Sequence, residues 1–167
     1  MTKLAEELAQ ALRDAGMDAR PLGGKPQQLG LFEPRQAAAL LRLAPVNDAV
    51  PALERALRLG PRDPYRAEWQ YRLALAHFGA GRYELARDWS QTAANTTPTL
   101  RWPPIHAAAL LRLGLRDAAQ QAFDEHMRRH PGFAAGQVTA RFPSEEAAHS
   151  ELRSRLIESL RELGMRD

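Results

Sequence analysis

Five histidines and a scatter of serines are the residues here whose types could do chemistry, for the chain contains no cysteine. His126 and His130 stand four apart, a spacing that sets two imidazoles on one helical face as metal ligands, with Asp124 and Glu125 adjacent. No third ligand falls in register, and His130 directly precedes Pro131, so the pair reads as one packed and one exposed histidine. His77 and His106 fall on predicted first helices near packed faces, where an imidazole satisfies local hydrogen bonds; His149 reads as surface. Ser90, Ser144, Ser150, Ser154 and Ser159 lack the Gly-x-Ser-x-Gly turn that presents a nucleophile. Gly23-Gly24-Lys25 runs into Pro26 instead of Ser or Thr, so it is not a phosphate loop. These residues imply no enzyme, no metal and no cofactor; the chemistry left is binding.

The elements that carry them repeat. Shifting the chain by 33 residues lays Tyr65–Pro98 over Pro98–Pro131, with Trp69/Trp102, Ala74/Ala107, Ala76/Ala109, Gly81/Gly114, Ala86/Ala119 and Pro98/Pro131 in phase. Gly81 and Gly114 stand where a first helix must end, because glycine accepts the positive φ of a helix C-cap. Small Ala74 and Ala86 let two antiparallel helices approach closely, and the prolines stop the second helix. Leu73, Leu75, Ala76 and Phe78, then Tyr83, Ala86, Trp89, Ser90 and Ala93, show helical apolar spacing.

On these marks the chain resembles tetratricopeptide repeats. The family order of small residue, turn glycine, aromatic, alanine, large apolar, alanine and proline falls on Ala74, Gly81, Tyr83, Ala86, Ser90, Ala93 and Pro98. In the next unit it falls on Ala107, Gly114, Arg116, Ala119, Phe123, His126 and Pro131. Ser90 is smaller and His126 larger than the pattern asks; Trp89 and Met127, one residue away, compensate. A weaker unit comes first, on Ala37, Ala44, Val46, Ala49, Leu53, Ala56 and Pro61, with helices near 35–43 and 46–59 and a longer connection through Arg62-Asp63-Pro64. The fold class is therefore all-α: a helical-hairpin solenoid of about three repeats (34–61, 65–98, 99–131) plus a C-terminal cap over 132–167.

After Pro131-Gly132, the stretch 133–142 suits a truncated helix. Leu152, Leu156, Ile157, Leu160 and Leu163 then give a long amphipathic helix ended by Gly164, with Glu151, Arg155, Glu158 and Arg161 on its polar side. Residues 71–167 also resemble the C-terminal repeat regions of many bacterial class III adenylate/guanylate cyclases. The matching residues are Gly81-Arg82-Tyr83-Glu84-Leu85-Ala86, Pro131-Gly132-Phe133 and Leu160-Arg161-Glu162-Leu163-Gly164-Met165. At 167 residues the chain has no room for a cyclase catalytic domain as well, so the resemblance implies a sensory or scaffolding appendage. At the other end, residues 1–33 comprise an amphipathic helix (Leu4, Leu8, Leu12 and Ala15, stopped at Gly16) and a Gly/Pro linker. Leu12-Arg13-Asp14-Ala15-Gly16-Met17 echoes Leu160–Met165, the same helix-ending chemistry at each end.

Charge decides between partner classes. The pI is 9.8, yet the formal charge is only +3. The bases, nearly all arginine, are dispersed beside acids, as in Arg87-Asp88 and Arg161-Glu162. No apolar run reaches membrane-spanning length and acids interrupt the N-terminus, so a cytoplasmic protein without a membrane partner is expected. In tetratricopeptide stacks the first helices line the groove. The resemblance thus implies a partner-binding groove of Arg35, Arg42, Glu68, Tyr71, Arg72, Leu75, Phe78, Arg101, Ile105, Leu111 and Arg112, an apolar floor with arginines suited to a peptide or helical segment. Neither lysine and neither asparagine (Asn47, Asn95) falls on first helices, which disfavours capture of a C-terminal carboxylate. The expected function is a scaffold or regulatory adaptor, in a signalling context, that binds another protein. The alternatives are a basic solenoid on nucleic acid and a small metal-binding or enzymatic protein; self-association stays open.

Overall fold

The segment from Arg66 to Gly79 has apolar or small side chains on nearly every side, which suits a helix enclosed by others. It forms α1 (Arg66–Gly79), in which Ala67, Trp69, Tyr71, Leu73, Ala74, Leu75, Ala76 and Phe78 are all buried. The computed structural model describes residues 66–97, 102–141 and 147–167, together with positions 50, 51, 53, 54, 57, 58, 61 and 62. Expectations for residues 1–33, and for most of the repeat at 34–61, lie outside the described residues. Positions 50, 51, 53, 54, 57 and 58 are helical, within the second helix expected at 46–59.

α1 folds back on α2 (Tyr83–Thr96), and α3 (Ile105–Arg112) on α4 (Arg116–Arg129); α2 and α3 join the two hairpins. Both turns are built alike. The Arg82 amide donates to His77 O and the Gly81 amide to Phe78 O; one repeat later Leu115 donates to Leu110 O and Gly114 to Leu111 O. These paired bonds satisfy carbonyls that a helix end leaves open, and they require the positive φ that Gly81 (73°) and Gly114 (79°) adopt. The in-phase alanines, Ala74, Ala86, Ala107 and Ala119, are all completely buried at the helix crossings. Trp89 and Met127, partly buried, pack against the core as their positions required.

The second hairpin departs from the first at its start. Pro103 and Pro104 take the places of Gln70 and Tyr71, and proline cannot supply the amides a longer helix needs there. So α3 has 8 residues where α1 has 14. Trp69 and Trp102, in phase in the sequence, end in different settings. Trp69 packs with Leu53, Leu57 and Leu73 in a small cluster, whereas Trp102 precedes α3 and stacks on Tyr71 with ring centroids 4.4 Å apart.

Beyond the hairpins come α5 (Ala135–Arg141) and α6 (Ala147–Glu162). The described residues are thus helical apart from turns and one isolated parallel bridge between Ala134 and Arg166, where the Ala135 amide donates to Arg166 O at 3.1 Å. α6 ends as α1 and α3 do, with Met165 donating to Leu160 O and Gly164 to Arg161 O. Among the described residues no helix is long and apolar enough to cross a membrane.

Candidate partner-binding face

The face formed by α1 and α3 is covered by α6. Its leucine stripe of Leu152, Leu156, Leu160 and Leu163 is buried and shares one core with Leu75, Phe78, Ile105 and Leu110. Polar contacts fix the course of the helix. Arg155 donates from an Nη to Gly79 O, the last carbonyl of α1, at 3.2 Å. One turn on, Arg112 at the end of α3 donates from Nε to Ser159 Oγ at 2.9 Å and pairs with Glu158 at 2.6 Å. At the end of α6, Arg116 and Gln120 of α4 donate to Glu162 O and Leu163 O at 3.4 and 3.2 Å. These donors answer the open carbonyls and partial negative charge of a helix C-terminus. Successive turns of α6 therefore reach α1, α3 and α4 in order, so α6 crosses the repeat helices instead of extending their stack.

The residues expected to line a groove stand as follows in this arrangement. Phe78 and Ile105 are 0% and 1% exposed, and Leu75 and Tyr71 are also core residues. Tyr71 is held on the Trp102 ring, its hydroxyl donating to Pro103 O at 3.2 Å. Leu111 is half-buried against the same core, and Arg112 faces α6 rather than a groove. Glu68 and Arg72 remain at the surface of α1, paired with each other at 2.5 Å and each about one-fifth exposed. Arg35, Arg42 and Arg101 lie outside the described residues.

What the sequence missed is the part played by α6. Arg155 and Glu158 read as a solvated polar side, yet both reach across to the repeats. Ser159 carried the available signal: it falls inside the leucine stripe, three residues beyond Leu156, and is completely buried. A small polar side chain at that point marks a place where the neighbour is polar, here the Arg112 guanidinium.

His77, His106 and His126 pack against their neighbours, and burial lowers the pKa of each. His77 Nδ1 accepts from Arg82 Nε at 2.9 Å, and burial, aided by the Arg82 charge, lowers its pKa. His106 lies 3.5 Å from Ser90 Oγ and 3.3 Å from Arg87 O; its pKa is lowered, chiefly by burial. His126 meets the edge of Phe133 and the His130 ring, each with centroids 4.8 Å away. Burial, with the nearby His130 and Arg129 charges, lowers its pKa to about 4. Among the described residues no group of three or more His, Asp or Glu is placed to hold a metal ion. An open cleft of about 630 Å³ lies between α5 and α6, but its arginine, Arg161, is already paired with Asp167.

No family model, curated protein or solved structure matches the chain. The case for function rests on the helix-covered face.

Proposed function

We propose that this chain is a tetratricopeptide-type interaction module whose first-helix face binds an amphipathic helix of a partner protein. The observation that carries this is α6 itself. An amphipathic helix, with leucines at three- and four-residue spacing and an acid opposite Arg112, lies across α1 and α3. That is the geometry of helix-in-groove recognition, with a segment of the same chain as the occupant. The 33-residue periodicity, reproduced down to the hydrogen bonds of the turns, supports the repeat architecture.

Charge favours a protein partner over nucleic acid. Several of the described arginines are engaged with acids: Arg72 with Glu68, Arg87 with Asp88, Arg128 and Arg129 with Glu125, and Arg155 with Glu151. The partner meets the Glu68–Arg72 edge of the face and, where α6 yields, the leucine seat beneath it. The resemblance to cyclase-associated repeat regions makes a cytoplasmic signalling complex the first place to look. The test is affinity capture with the whole chain, followed by reconstitution from purified components. Arg72→Glu should weaken the reconstituted complex about tenfold or more if the partner segment is acidic, mainly by slowing association. A complex indifferent to Arg72→Glu and to release of α6 refutes this face as the binding site.

A further inference from the structure

The surface of α6 that meets the repeats consists of Leu152, Leu156, Leu160, Leu163 and Met165, all buried, with Gly164 at positive φ ending the helix. The same register recurs near the start of the chain as Leu4, Leu8, Leu12, Ala15, Gly16 and Met17. Five of those six are identical, and the sixth exchanges leucine for a smaller apolar residue. Arg13 repeats Arg161, and Asp14 stands for Glu162. The positions that tie α6 to the repeats by polar contacts do not recur. Arg155, Glu158 and Ser159 correspond to Glu7, Gln10 and Ala11. The likeness is concentrated where α6 is buried and where it turns.

We infer that residues 2–17 are a second ligand for the seat of α6, an amphipathic helix that occupies the α1–α3 face of its own chain when α6 leaves it. This rests on the proposal that the face receives helices. Both segments are tethered to the same receptor, so each acts at a high effective concentration, and the difference in their contacts decides which is seated. α6 holds the Arg112–Glu158 pair, the Arg112–Ser159 hydrogen bond and the Arg155 bond to Gly79 O. Residues 2–17 offer none of the three, since Glu7, Gln10 and Ala11 stand in that register. α6 is therefore the resident and residues 2–17 the reserve. A partner that captures α6 does not leave Phe78, Leu75 and Ile105 in water, because the reserve segment carries the leucines that cover them.

Amide hydrogen exchange on the full chain tests this directly. Combining Glu158→Arg with Gln10→Glu moves the acid opposite Arg112 from α6 to the reserve segment, using two substitutions that leave the leucines intact. Leu160→Asp is an independent way to release α6, valid where amides of 66–129 stay protected. In both chains, exchange at residues 4–15 should slow by about tenfold or more while exchange at 150–162 quickens, at constant protection of the repeats. Adding Leu8→Asp should abolish the gain at 4–15. The inference is overturned if residues 4–15 exchange as in the parent chain, or if their gain survives Leu8→Asp. It is also overturned if the gain rises with protein concentration, which assigns the ligand to a second copy. Failure here, with a reconstituted partner complex still weakened by Arg72→Glu, removes the reserve segment and leaves the partner face standing.

Discussion

His126 is held neutral by its surroundings, and this makes the fold sensitive to acid. Its pKa in the folded chain is about 4 against an ordinary 6.5, lowered chiefly by burial against Phe133. A histidine with a depressed folded pKa binds protons more readily when unfolded. Its contribution is therefore whole above about pH 6.5 and is lost as pH falls from there through about 4. His77 and His106 shift in the same direction. The urea midpoint should fall over that window, and His126→Phe, which keeps a ring but cannot titrate, should flatten the fall. Zinc should leave the melting temperature of the parent chain unchanged, since a ligand raises it only by binding the native state; a zinc-dependent rise abolished by His126→Ala would restore the metal alternative. Phe78 illustrates how burial redirects a residue's meaning. As a groove residue its truncation would weaken binding; as a side chain with no exposed surface, Phe78→Ala should cost about 3–5 kcal/mol of stability, read by urea denaturation.

The helices and their turns were largely legible in the sequence, because the chemistry that ends a helix is local. Gly81, Gly114 and Gly164 each follow a helix and each adopts positive φ. A Cβ added at Gly81 or Gly114 would meet nothing within 4 Å, so any cost there comes from backbone conformation, not collision. Gly81→Ala and Gly114→Ala should each destabilise by about 1–2 kcal/mol, and asparagine at either place should cost less. Thermal melts of the four single variants and the parent chain, paired by site, check this. The short α3 was written in Pro103-Pro104, where proline denies a longer helix its first amides. The path of α6 was not legible. Periodicity identified its apolar stripe but could not say which neighbours the stripe covers, and Arg155, Glu158 and Ser159 acquire their partners only from segments tens of residues away. The burial of Phe78 and Ile105 was not legible for the same reason: it depends on which neighbour the leucine stripe of α6 meets.

At the scale of the molecule, pairing of arginines with acids predicts weak attraction for polyanions. A binder with six to ten phosphate contacts would lose about three to five decades of affinity between about 50 and 200 mM salt. Gel shifts at physiological salt should show no tight DNA or RNA complex, and nanomolar, salt-sensitive retardation would favour the nucleic-acid alternative. The two hydrophobic clusters also differ in their aromatic equipment. Trp69 belongs to the one with Leu53 and Leu57, Trp102 to the main core, and Trp89 touches both. Trp102 lies nearly parallel to Tyr71, at an interplanar angle of 27°, and that contact joins the first hairpin to the approach of the second. Two chromophores so close and so fixed have coupled electronic transitions, which gives the protein an intrinsic optical gauge of hairpin docking. Near-ultraviolet circular dichroism should therefore lose a band in Trp102→Phe that Trp69→Phe retains. In the parent chain that band should fade whenever the hairpins part, even while the far-ultraviolet helical signal persists.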